Sequence, residues 1–171
     1  MKLPHLLVLM SFFSLLFGSA RAEALKVGDS APVVSGITDA GTTINLGDVY
    51  KKNDYTLVWF YPKALTGGCT KQGCSLRDAS AGLTKKGVAV IGVSTDPVEK
   101  QKEFKDVNHF SFPLIADTDK KVVKAFGQSG GMVASREAYL VDRKGKIVYH
   151  DEKQTDKQAE KVLEFLNARQ R

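Results

Sequence analysis

Two of the 171 residues are cysteine, Cys69 and Cys74; one is tryptophan, Trp59, and three are histidine. The cysteines are five positions apart, so the C-x-x-C pair that disulfide reductases use is missing, which argues against that activity. No segment repeats with a solenoid period and no low-complexity tract stands out. The apolar runs are shorter than the roughly 20 residues that a membrane-spanning helix needs. Lys and Arg give a formal charge of +6 but are scattered rather than gathered in a stripe, which reads as a soluble basic surface and predicts no nucleic-acid partner. What is present, 43% hydrophobic and 26% charged residues, suits one globular domain with a substantial core.

The N-terminus has the pattern of a secretory signal peptide. Lys2 supplies a positive charge, residues 6–17 are apolar apart from Ser11 and Ser14, and small residues stand at Ala20 and Ala22. The expected division is a signal peptide over 1–22 and one domain over 23–171. Cleavage would leave no stable membrane insertion, and no cysteine near the cut offers a lipid attachment point. The expected location is exported, periplasmic or secreted. In an oxidising compartment an even cysteine pair is usually a disulfide, so a fixed structural bridge is one reading of Cys69 and Cys74.

Along the remaining chain, residues 33–46 read as a β-hairpin turning at Asp39-Ala40-Gly41. The continuous apolar runs 56–60 and 88–93 suit strands buried on both faces. Between them, residues 69–86 read as one helix beginning near Cys69. Asp96 and Pro97 predict the N-cap and first residue of another helix. Residues 112–116 form a short strand, and Asp117 or Thr118 caps a helix running to Phe126. A Gly-rich stretch, 128–135, precedes a hairpin of strands 138–141 and 146–149. A final helix spans 155–168. The order predicts an α/β domain: a central mixed β-sheet flanked by helices, with an N-terminal β-hairpin, compatible with a thioredoxin-like fold.

The chemistry concentrates in residues 61–74. A strand running into a helix sets Cys69 near the helix N-terminus, where the macrodipole and unpaired N–H groups favour a thiolate. Arg136, just before a strand, is the candidate cation beside it, although an ordinary surface arginine fits its position equally well. Thr66 has a hydroxyl three residues before Cys69, suited either to a small oxygen substrate or to holding the loop. Pro62 can cover one side of the site and lacks a competing N–H. Residues i and i+5 of a helix lie roughly 8.6 Å apart at Cα. A disulfide needs about 7 Å or less. Cys69 and Cys74 therefore bond only if the helix start unwinds, which favours a bridge made and broken during turnover. Gly67, Gly68 and Gly73 would ease that unwinding.

Pro62-x-x-x-Thr66-x-x-Cys69 followed by Cys74 resembles the peroxiredoxin signature, in its PrxQ or bacterioferritin comigratory protein form. The similarity extends over residues 25–168, including Cys74-Ser75-Leu76-Arg77-Asp78 and Arg136 before its strand. It implies a thioredoxin fold and a thiol-dependent peroxidase for hydrogen peroxide and organic hydroperoxides, with no cofactor and no metal. It also implies Cys69 as the oxidised cysteine, Cys74 as the resolving one, and Thr66, Arg136 and Pro62 around them. A thioredoxin-like dithiol protein is the implied reductant, and a monomer is expected. Gly67-Gly68 replaces the usual Pro-Gly, which predicts a looser loop. Glu137-Ala138-Tyr139 replaces the usual Ser/Thr-Thr-Phe, which predicts different support for Arg136. The alternative reading is a copper-binding or disulfide-exchange thioredoxin-like protein of the exported compartment, in which His109 or His150 would join two thiolates.

Overall fold

The computed structural model describes residues 25–128 and 131–169, so the expected signal peptide lies outside the described residues. Two short strands, β1 (Ser35–Ile37) and β2 (Thr43–Asn45), form the expected hairpin as a separate antiparallel pair. It is joined to the rest by a bridge from Thr38 to Ile115. Helix α1 (Leu46–Lys52) follows, an element that the periodicity of so short a segment does not reveal. Its start is nevertheless conventional: the Asn45 side chain accepts from the Asp48 N–H.

Five strands make the central sheet, in the order β5-β4-β3-β6-β7. Strands β3 (Tyr55–Phe60), β4 (Val88–Ser94) and β5 (Leu114–Ala116) are parallel, while β6 (Glu137–Asp142) and β7 (Ile147–Glu152) join antiparallel. The sheet is mixed, as its element order predicts. Between β3 and β4 lie α2 (Gly67–Asp78) and α3 (Ser80–Lys85); α4 (Val98–Asn108) links β4 to β5. Helix α5 (Lys121–Ala125) precedes β6, and α6 (Gln158–Arg169) is the last element among the described residues.

Alternation along β3 divides the core. Leu57, Trp59 and Tyr61 point to the side carrying Leu76, Leu83, Phe104, Val162 and Leu166 of α2, α3, α4 and α6. Val58 and Phe60 point to the opposite side, against Leu46, Tyr50, Val122 and Phe126 around α1 and α5. Both faces are therefore covered, which is why β3 and β4 read as continuous apolar runs. All four central β3 side chains are fully buried.

Several boundaries depart from the sequence reading, the short strand expected over 112–116 among them, which begins at Leu114. The helix expected over 69–86 begins two residues earlier, at Gly67, and divides at Ala79, whose ψ of 5° lies off the helical value. Pro97, not Asp96, caps α4, because Asp96 is used elsewhere. Its carboxylate accepts from the Ala64 N–H and the Ser94 hydroxyl, tying the loop after β3 to the end of β4. Lys120, at φ 60°, and not Asp117 or Thr118, holds the N-cap position of α5, while Asp117 from three residues earlier accepts from the N–H groups of Val122 and Val123. Finally, α6 starts at Gln158 rather than Thr155, with Asp156 in the preceding turn.

Candidate active site

The parallel strands β3 and β4 end on one side of the sheet, and the antiparallel β6 begins there. In that register Phe60 lies opposite Glu137, so Arg136 emerges beside the loop that follows β3. The last sheet bond of that loop is the Tyr61 N–H to the Val93 carbonyl. Pro62 then has no N–H to continue the pairing. The loop turns through Leu65 at φ 64° into Thr66, the extended N-cap of α2.

Cys69 is the third residue of α2, so its sulfur sits in the turn whose N–H groups lack helical partners. It is 1% exposed. Arg136 Nη2 lies 3.3 Å from Sγ, and Nη1 donates to Oε1 of Gln72 at 2.6 Å. The arginine is therefore engaged with the Cys69 sulfur and Gln72 and is not a free surface cation. A guanidinium held on the sulfur stabilises negative charge there. Gln72 is fully buried one turn beyond Cys69, and the sequence reading overlooked it. The i, i+3 relation on a helix would have placed it on the same face. Glu137 turns away from Arg136, bonding instead to the Tyr139 hydroxyl and lying 3.2 Å from His150 Nε2.

The Thr66 hydroxyl donates to the Lys63 carbonyl at 2.9 Å and remains exposed. It braces the loop and keeps lone pairs for an incoming O–H. Tyr61 stacks on Trp59 with centroids 4.4 Å apart, and its hydroxyl donates to Gln101. Burial raises the Tyr61 hydroxyl well above the ordinary tyrosine range, so it stays protonated.

Gly67 and Gly68 are not loop residues but the first two of α2. A Cβ at Gly67 would meet nothing within 4 Å, whereas one at Gly68 would lie 3.2 Å from Arg136 Nη2. Gly68 thus makes room for the guanidinium, and the expectation of a loose loop gives way to a helical start.

Cys74 lies in the same unbroken helix, and both thiols are free. That is at odds with a fixed structural bridge. Cys74 is half-buried, with Sγ 3.8 Å from Oδ1 of Asn108. Arg77 donates to the carbonyl of the same asparagine at 2.7 Å. Among the described residues no group of three His, Cys, Asp or Glu side chains gathers to hold a metal ion, so the copper reading finds no third ligand beside the thiols.

The AhpC/TSA family matches residues 27–150. Among curated proteins, the chain is 38% identical over 151 residues to peroxiredoxin Bcp of Escherichia coli K12, covering 83% of this chain and 96% of the relative. Among solved structures, it is similar to peroxidoxin BcpB from Mycobacterium tuberculosis, with TM-score 0.78, 30% identity and coverage of 84% and 97% of the two chains. A cysteine-to-serine variant of PrxQ from Xylella fastidiosa gives TM-score 0.78 at 25% identity, covering 87% of this chain and 99% of its own.

Proposed function

Because this chain belongs to the AhpC/TSA family and is a thiol-dependent peroxidase of the peroxiredoxin type, we propose that Cys69 is the sulfur that peroxide oxidises and Cys74 the one that resolves it. The contact of Arg136 with the Cys69 sulfur, at the first turn of α2, carries the assignment. The thiolate attacks one peroxide oxygen in line with the O–O bond, giving a Cys69 sulfenic acid and an alkoxide or hydroxide that is protonated on release. Arg136 and the N–H groups of the first turn stabilise the charge that develops on the leaving oxygen. The Thr66 hydroxyl, already donating to Lys63, accepts the peroxide O–H and aligns it.

Cys74 then attacks the sulfenic sulfur, water leaves, and a disulfide forms. Five positions along one helix separate the two sulfurs too widely, so the first turns of α2 unwind for this step. A thioredoxin-like dithiol protein returns the pair to thiols by exchange. Both sulfurs belong to one helix, so the cycle needs no second chain, and a monomer is the proposed state; sedimentation equilibrium of the reduced protein tests it.

Residues 1–22 act as an export signal, a reading supported by the family match beginning only at residue 27. The protein then works in an exported compartment. Cell fractionation and the mass of the purified protein test this: a chain starting at Glu23 is expected, and an intact Met1 in the cytoplasm would overturn it.

Stopped-flow fluorescence tests the chemistry. Trp59 is the one tryptophan and packs in the same core cluster as Cys69, so it reports on the site. Reduced protein mixed with hydrogen peroxide should give a fast second-order change. Cys69→Ser should abolish it; Cys74→Ser should keep the first oxidation but lose turnover. A Cys69→Ser protein that still reduced peroxide would refute the assignment.

A further inference from the structure

Arg136 is the first link of a polar chain that runs through the core, away from the sulfur. Its Nη1 donates to Gln72 Oε1 at 2.6 Å; Gln72 Nε2 donates to Gln158 Oε1 at 2.9 Å; Gln158 Nε2 donates to Asp151 Oδ2 at 2.7 Å. Both glutamines are fully buried. Four elements contribute: the approach to β6, then α2, α6 and β7. Tyr149 also donates to Asp151 Oδ2, at 2.7 Å, while Oδ1 is shut off from solvent with no hydrogen-bond partner among the described residues.

The direction of the chain is forced at both ends. A guanidinium only donates and a carboxylate only accepts. Each glutamine amide between them can therefore be satisfied in one orientation, oxygen towards Arg136 and nitrogen towards Asp151. Without an acceptor at position 151, Gln158 is free to rotate by half a turn. Gln72 can then follow, presenting its NH2 group to Arg136, where two donors would oppose.

We propose that Asp151 is a positioning residue of the peroxidase centre, holding Arg136 on the Cys69 sulfur by fixing the orientation of Gln158 and Gln72. It touches neither sulfur nor peroxide. The inference rests on the assignment of Cys69 as the reacting thiolate.

The test compares wild type with Asp151→Leu, Asp151→Asn and Gln158→Leu. Two rate constants are measured for Cys69 in each: with hydrogen peroxide, which needs Arg136 in place, and with the neutral alkylating agent iodoacetamide at a pH where the thiol is fully ionised. Asp151→Leu should slow the peroxide reaction by roughly tenfold or more, the usual effect of misplacing a charged hydrogen-bond donor. Alkylation should change little. Asp151→Asn keeps an acceptor and should recover most of the peroxide rate. Gln158→Leu breaks the same chain elsewhere and should behave like Asp151→Leu, with no further loss when the two are combined. The proposal fails if Asp151→Leu reacts like wild type, if Asp151→Asn is as slow as Asp151→Leu, or if the alkylation rate shifts as much as the peroxide rate, as a loosened fold that uncovers the buried Cys69 sulfur would make it do. Failure of wild type itself to react with peroxide would instead overturn the cysteine assignment.

Discussion

The ring of Phe110 lies against the backbone of Gly73, so close that a Cβ there would sit 2.4 Å from Cζ. Gly73 precedes Cys74, the proposed resolving cysteine, within α2, and the aromatic edge holds the middle of that helix down. The glycine expected to ease unwinding is thus also the one that lets Phe110 pack, with Phe112 stacked on its ring and Phe104 meeting it edge-on.

Gly73→Ala should therefore destabilise the reduced protein, although alanine is the better helix former. Overpacking a rigid ring costs about 1–3 kcal/mol, against about 1 kcal/mol gained in helix propensity. Urea denaturation under reducing conditions should show a net loss of roughly 1 kcal/mol. In a Phe110→Leu background the loss should largely disappear, because the two sites share one contact.

Gly67→Pro should have the opposite effect. Gly67 is the first helical residue, where proline is favoured, and nothing crowds its Cβ. Thr66, at φ −92° and ψ 151°, already has the extended backbone required before a proline. A gain of about 0.4–1 kcal/mol is expected. A stiffer first turn should also slow formation of the Cys69–Cys74 disulfide after peroxide oxidation, which rapid quenching and thiol counting would measure.

Arg136→Lys should keep a positive charge and still lose activity. An ammonium cannot bond Gln72 and the sulfur in the fixed fork that the guanidinium spans. The loss of one charge-assisted contact corresponds to about 10- to 100-fold in the peroxide rate constant. A rate within twofold of wild type would show that charge alone suffices.

Burial raises the carboxyl groups of Asp117 and Asp151 above their usual value of 3.8, and the hydrogen bonds each accepts oppose that shift without cancelling it. Across the window just above 3.8 the folded protein binds more protons at these sites than the unfolded chain does. Their contribution to stability therefore falls as pH rises through that window and is relieved below it. Asp151→Asn, which cannot ionise, should be more stable relative to wild type near neutrality, with the advantage shrinking as the pH is lowered towards about 4. Denaturation series at several pH values would check this; an advantage independent of pH would mean that ionisation of Asp151 is not its source.

Local and short-range patterns were enough for much of this protein. The continuous apolar runs mark β3 and β4 because strands covered on both faces need no polar alternation. The order of strands and helices indicates a mixed sheet with layers on each side. The spacing from Pro62 through Thr66 and Cys69 to Cys74 places the chemistry at a strand-to-helix junction, because a motif confined to a dozen residues takes its geometry from its own backbone. Tertiary structure decided the remainder. Asp96 reads as a helix cap but ties a loop instead, since the chain folds Ala64 beside it. Arg136 is 67 residues from Cys69, and only the antiparallel pairing of β3 with β6 places its guanidinium on the sulfur. Gln72, Gln158 and Asp151 look like ordinary polar residues in sequence. They form one line because burial removes water as a competing partner, leaving each side chain to satisfy the next.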